Sequence, residues 1–171
     1  MGDVSTLNDA AARPGALEDG AALFQALLHC CGSRKWVVEL GKRLPVCDVE
    51  DLCRASDTAD AMLERHDWLE AFAAHPRIGR AKAPIGKWEA QEQQATKSAK
   101  EAVLDRLELL NEQYYDKFGF IYIVCATGKS ADEMLAILES RIGNNPDEEI
   151  AIAAREQSKI TKIRLEKLLL E

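Results

Sequence analysis

The sequence predicts an all-α fold: a single compact domain of about seven or eight helices, with a short extended segment near residues 118–126. Three observations lead there. Apolar residues return at spacings of three and four in one stretch after another, the period of a helix with one buried face. One run, Phe118-Gly-Phe-Ile-Tyr-Ile-Val-Cys-Ala126, has the β-branched and aromatic content of a buried strand, yet no second run exists for it to pair with. A chain of 171 residues, 47% hydrophobic, also suffices for one ordinary core.

Residues 1–14 are polar and alanine-mixed without a sustained period, and read as a loose arm ahead of a helical domain over 15–171. From Gly15 to Cys31 the set Leu17, Leu23, Phe24, Leu27 and Leu28 makes a helix stopped by Gly32. Ser33 then caps a second helix through Trp36, Val37 and Leu40 to Gly41. A third covers Val49 to Ala55, and Ser56 or Asp57 can cap a fourth that passes Met62, Leu63, Leu69 and Phe72. His66, one turn below Leu69, reads as a packed or rim histidine. Pro76 disfavours a helical conformation at the residue before it, so the fourth helix should end at about His75. The run from Gly79 to Lys87, with Gly79, Pro84 and Gly86, is a loop. A long helix follows from Trp88 to about Lys117, burying Val103, Leu104, Leu107, Leu110 and Tyr114. Another runs from Ala131 to Ile142 through Met134, Leu135 and Leu138, stopped by Gly143-Asn-Asn-Pro146, and the last begins near Asp147.

The formal net charge of −7 and the lack of a Lys/Arg cluster argue against a nucleic-acid surface and a basic membrane-binding face. No apolar run approaches the roughly 20 residues that span a bilayer, and no signal peptide opens the chain, so a soluble, intracellular protein is expected. Five cysteines, Cys30, Cys31, Cys47, Cys53 and Cys125, lack a Cys-x-x-Cys pair and read as reduced packing residues rather than a disulfide framework or zinc site.

A few residues carry possible chemistry. A helix C-terminus favours imidazolium, so His75 could give or take a proton near neutral pH; a surface capping histidine is the plainer alternative. Glu89, Glu92 and Gln93 share a face at the start of the long helix, where a solvated acidic first turn would also suit the dipole. Arg164 falls between Ile160 and Leu168 on an apolar stripe, whereas Lys162, Glu166 and Lys167 point elsewhere. An arginine there needs an anion or carbonyls, or else snorkels to the rim. The backbone of the lone extended segment could bind a ligand. Thr127-Gly-Lys-Ser130 matches only the end of a phosphate loop, since the pattern needs glycine at Ile123; Ser130 more simply caps the next helix.

Taken together, Leu-Glu-Ala-Phe-x-Ala-His75-Pro76-x-Ile-Gly79, Glu92-Gln93 after a tryptophan, Leu-Asn111-x-x-Tyr-x-x-Lys-Phe118-Gly-Phe120 and Lys159-Ile160-x-x-Ile-Arg164-Leu resemble the family of 2-oxo-4-hydroxy-4-carboxy-5-ureidoimidazoline (OHCU) decarboxylases, over roughly Leu23 to Leu169. The resemblance implies an all-α, cofactor-free, usually homodimeric enzyme that converts OHCU to (S)-allantoin and CO2 in urate breakdown. It implies that His75 is the catalytic acid or base, aided by Glu92 and Arg164. Pro76, Glu89, Gln93 and the Tyr122, Ile123, Val124, Cys125 and Ala126 backbone would line the substrate pocket. The family commonly has serine at the position of Glu89. The likeness extends to plant-type proteins that fuse this domain to a transthyretin-like hydroxyisourate hydrolase, so an excised or separated domain is one expectation. The ending Lys-Leu-Leu-Leu-Glu171 is no peroxisomal signal, so the cytoplasm is the expected compartment and the peroxisome the alternative. The competing reading, a non-catalytic helical interaction or regulatory module, needs no convergence of His75, Glu92 and Arg164.

Overall fold

The computed structural model describes residues 3–76 and 93–171, the side chains of residues 93–99 excepted. The expected loop over 79–87 and the helix start at Trp88 lie outside them. Among the described residues there are eight helices and no strand: α1 (Ser5–Ala11), α2 (Ala22–Cys30), α3 (Arg34–Gly41), α4 (Val49–Ala61), α5 (Arg65–Ala73), α6 (Gln93–Phe118), α7 (Ala131–Arg141) and α8 (Pro146–Leu169). The all-α expectation is met. The chain gathers into two compact units, one of Met1–Ala74 with Arg155–Glu171, the other of His75–Ala154.

In the first unit the core gathers Phe24, Leu27, Trp36, Val37, Leu40, Leu52, Ala59, Ala71 and Leu165. Ser33 caps α3 as expected, accepting from the Trp36 N–H at 3.2 Å. Residues 5–11 depart from the loose arm expected over 1–14. Val4 and Leu7 join the core, and the Asn8 side chain meets the Val46 backbone twice, donating to its carbonyl at 2.8 Å and accepting from its N–H at 2.9 Å. A helix so short has too few apolar positions to show a period, and packing rather than propensity holds it.

Two boundaries also differ. The first expected helix starts at Ala22 rather than Gly15. The third and fourth divide later than expected: α4 runs unbroken past Ser56, which is fully buried, and ends at Ala61. The new start at α5 is made by a capping box, in which the Glu64 N–H donates to Asp67 Oδ2 at 2.9 Å. His66 sits on the rim, its Nε2 3.2 Å from Asp67 Oδ1.

On α4, Asp60 faces α8 with Oδ1 buried and unpaired among the described residues. Burial pushes its carboxyl up from the ordinary 3.8 to about 6, helped by Asp57 and opposed by Ser158 and Lys162, the latter 2.7 Å from Asp57. Because the folded value is the higher one, Asp60 favours folding most at pH below its unfolded pKa, and that contribution is lost as pH rises through about 6. Asp60→Asn should therefore unfold at a higher temperature than wild type at about pH 8, with the gap closing at about pH 4. A gap that stayed constant across thermal melts at both pH values would contradict this.

Candidate functional site

His75 follows α5 directly. Two contacts fix the helix end that delivers it. The Arg34 N–H donates to Glu70 Oε1 at 3.1 Å and its Nη1 to Glu70 Oε2 at 2.8 Å, tying the start of α3 to the last turn of α5. Gly32 approaches Ala74 so closely that a Cβ at position 32 would lie 2.6 Å from the Ala74 methyl, a separation no side chain permits. α5 then stops at Ala73, with Ala74 as its C-cap; His75 is half-buried and Pro76 exposed. The helix ends two residues earlier than expected, which places the imidazole beyond the last turn.

Arg164 occupies the position its stripe required. Its Nη1 donates to the His29 carbonyl at 3.0 Å, so a carbonyl holds one arm of the guanidinium. The side chain borders a cleft of about 420 Å³ lined by Ala26, His29, Cys30, Arg164, Lys167, Leu168 and Glu171. Lys167 was expected to point away, but lies one turn from Arg164 and shares its face. His29 Nδ1 meets the Gln25 carbonyl at 2.8 Å; a carbonyl only accepts, so Nδ1 carries the hydrogen and Nε2 is the ring's outward polar atom. Burial pushes the Cys30 thiol up to about 11, with Arg164 opposing, so it stays neutral beside three nitrogen bases.

In the second unit, residues 121–126 run without helix, turn or bend, and Tyr122, Ile123, Val124 and Cys125 are all buried. The lone extended segment is thus observed, but its carbonyls are not all open to a ligand. Arg141, 5% exposed, donates from Nη1 to the Ile123 carbonyl at 2.6 Å and from Nε to Glu149 Oε1 at 2.6 Å. The Tyr114 hydroxyl donates to the same Glu149 oxygen at 2.5 Å, and Asn144 Nδ2 to the other at 3.1 Å. Burial opposes the charge on Arg141, but Glu149 and Tyr114 outweigh it and raise its pKa. Burial and Glu149 push the Tyr114 phenol up, so it remains a donor. The guanidinium also lies 5.0 Å from the centre of the Tyr122 ring, whose hydroxyl donates to the Met134 carbonyl at 2.9 Å. The cluster joins α6, α7, the start of α8 and the segment.

Sequence reasoning passed over Arg141, Glu149, Lys129 and His29. The signal for Arg141 was the one that singled out Arg164: Met134, Leu138 and Arg141 follow at spacings of four and three, and the first two are fully buried. Thr127-Gly-Lys-Ser130 is no phosphate loop. Ser130 caps α7, accepting from the Glu133 N–H at 3.1 Å, and Lys129 Nζ donates to the Cys125 carbonyl at 2.8 Å. Gln93 opens α6; its side chain, Glu89 and Glu92 lie outside the described residues.

Removing one member of a buried pair strands the other's charge. Arg141→Leu should destabilise by about 3–5 kcal/mol in denaturant unfolding. Adding Glu149→Leu should restore part of the loss, because the unpaired carboxylate goes too. A double variant less stable than Arg141→Leu alone would count against the pair's electrostatic role.

Comparison with known proteins places these features in a family. The family model described as OHCU decarboxylase matches residues 17–166. The uric acid degradation bifunctional protein TTL of Arabidopsis thaliana is 40% identical over 147 residues, covering 81% of this chain and 45% of that protein. The 2-oxo-4-hydroxy-4-carboxy-5-ureidoimidazoline decarboxylase of Halalkalicoccus jeotgali is 30% identical over 132 residues, 72% of this chain and 71% of that one. A crystal structure of OHCU decarboxylase in the presence of (S)-allantoin superposes with a TM-score of 0.68 at 35% identity, covering 84% of this chain and 96% of that chain. The chain spans less than half the length of the bifunctional relatives that it matches. With a match running from residue 17 to residue 166, the chain belongs to the OHCU decarboxylase family.

Proposed function

We propose that this protein is a carboxy-lyase that converts 2-oxo-4-hydroxy-4-carboxy-5-ureidoimidazoline to (S)-allantoin and CO2 in urate degradation. The observation that carries the reading is the cleft at Arg164: in a chain of this family, a guanidinium held by the His29 carbonyl borders a small-molecule-sized space beside Lys167, the His29 ring and Glu171, where the two cations outnumber the carboxylate side chain and can meet an oxygen-rich substrate.

The substrate's chemistry explains why few groups suffice. The ring carbon bears a hydroxyl and the departing carboxylate beside a C=N bond. As the carbon–carboxylate bond breaks, its electron pair forms a double bond to the neighbouring ureido-bearing carbon, the C=N pair moves onto nitrogen, which takes up a proton, and CO2 leaves. The hydroxyl of the resulting enol then gives up its proton to become the ring carbonyl, and a proton delivered to one face of the ureido-bearing carbon sets the (S) configuration. The substrate is its own electron sink. The protein must orient the carboxylate, polarise the hydroxyl and supply the proton. We assign the proton transfer to His75. Glu92 would hold the His75 tautomer and accept from ring or ureido N–H groups, with Pro76, Glu89, Gln93 and the 122–126 backbone around the ring. Arg164 would bind anionic or carbonyl oxygen through its fork. We further propose that the chain works as a homodimer in the cytoplasm, alongside or fused to a transthyretin-like hydroxyisourate hydrolase. The bifunctional relatives support the fusion.

The test generates OHCU from urate with urate oxidase and hydroxyisourate hydrolase, then follows the optical activity of the allantoin. The protein should yield (S)-allantoin faster than the spontaneous, racemic reaction. His75→Ala or His75→Asn should cost on the order of a hundred- to ten-thousand-fold in turnover with little change in thermal unfolding. Arg164→Ala should weaken allantoin binding as well as rate, because ground and transition states both use the fork. Racemic product at the spontaneous rate from the wild-type protein would overturn the assignment; wild-type turnover by His75→Ala would overturn the mechanism alone.

A further inference from the structure

Of the three lysines on α8, two are paired: Lys159 with Glu156, and Lys162 with Asp57 at 2.7 Å. The third, Lys167, lines the cleft beside Arg164, and among the described residues its ammonium has no hydrogen bond and no ion pair. Three residues of helix separate the two cations by about 4.5 Å along the axis. Glu171, in the turn that closes α8, lines the cleft beyond them and makes no ion pair with Lys167. Cys30, which faces Arg164 from α2, is a neutral thiol pushed up to about 11 by burial, so it brings no charge that would cancel the cations.

The charge of the bound molecule changes in the proposed reaction. OHCU enters with a carboxylate, and (S)-allantoin and CO2 leave without one. A cation aimed at that carboxylate therefore distinguishes substrate from product. It must not grip hard: negative charge leaves the carboxylate as the carbon–carbon bond breaks, so a bidentate ion pair would stabilise the ground state more than the transition state. Arg164 has the rigid fork, with one arm already on the His29 carbonyl, and better suits an oxygen that remains in the product. Lys167 is exposed, and offers a hydrated point charge on a flexible stem, whose pull on an anion is close to that of a surface ion pair.

Resting on the decarboxylase reading, we infer that Lys167 is a specificity-determining residue whose ammonium recognises the carboxylate that the substrate loses. The cleft then takes up the anion and lets go of neutral allantoin. Arg164 holds what substrate and product share, and Lys167 holds what only the substrate has.

Lys167→Met keeps the aliphatic stem and removes the charge. With OHCU generated enzymatically, KM should rise roughly three- to fivefold while kcat and the affinity for (S)-allantoin stay near wild type, and Lys167→Arg should recover most of the loss. Added salt should raise the wild-type KM and move that of Lys167→Met much less. Calorimetry with hydantoin and hydantoin-5-acetate, which differ by a carboxylate arm, reads the same preference without turnover. Wild type should bind the acetate more tightly, and Lys167→Met should level the two. A wild-type KM in Lys167→Met, an equal loss for OHCU and allantoin, or a preference for the acetate that survives the substitution would overturn the inference. A wild-type protein with no turnover of OHCU would overturn the decarboxylase reading, and the hydantoin pair would still decide whether Lys167 binds a carboxylate.

Discussion

A stretch of buried backbone with no neighbouring strand among the described residues must find partners elsewhere, and the Arg141 guanidinium supplies one at its centre. Its fixed fork meets a carboxylate and a carbonyl at once, a task for which an ammonium has the wrong geometry. Glu149 makes the cation tolerable inside, and Tyr114 and Asn144 complete the carboxylate's hydrogen bonds. Fully satisfied, such a cluster costs little and specifies much, since any slip of the segment by one residue would leave several buried polar groups unanswered at once.

The aromatic residues around the cluster follow from the same need. Tyr114 packs against Phe118, Phe120 and Tyr122 with ring centres 4.5–5.8 Å apart, and its hydroxyl reaches the carboxylate from within that apolar wall. The rings exclude water, which strengthens each polar contact they surround. A segment that is irregular in local structure is thus held as firmly as a strand in a sheet, but by side chains from helices. That is a useful arrangement for a site, because a backbone pinned from one edge can keep the other for a ligand.

Much of this could be read from the chain. Ser33 and Ser130 announced α3 and α7 by side-chain caps acting over three residues, and Pro76 fixed where α5 must yield to His75. Arg164 could be singled out because a cation on an apolar stripe demands a partner, and the His29 carbonyl provides one. What escaped depends on contacts distant in sequence. Tyr114 and Glu149 are 35 positions apart, and Asn8 and Val46 are 38 apart, so no local pattern links them. The division between α4 and α5 was misplaced for a different reason. Ser56 and Asp57 have capping side chains, whereas the working cap is a glutamate, a type seldom used there.

The contact of Gly32 with Ala74 bears on how the protein responds to its solvent. The ion pair of Arg34 with Glu70, which also secures the end of α5, is largely exposed and weakens as dissolved salt screens its charges. Steric apposition of a hydrogen atom and a methyl group carries no charge to screen. The ledge that carries His75 is consequently anchored by shape where its electrostatic tether is weakest, so concentrated brine should loosen Arg34 while leaving the spacing between residues 32 and 74 as it is.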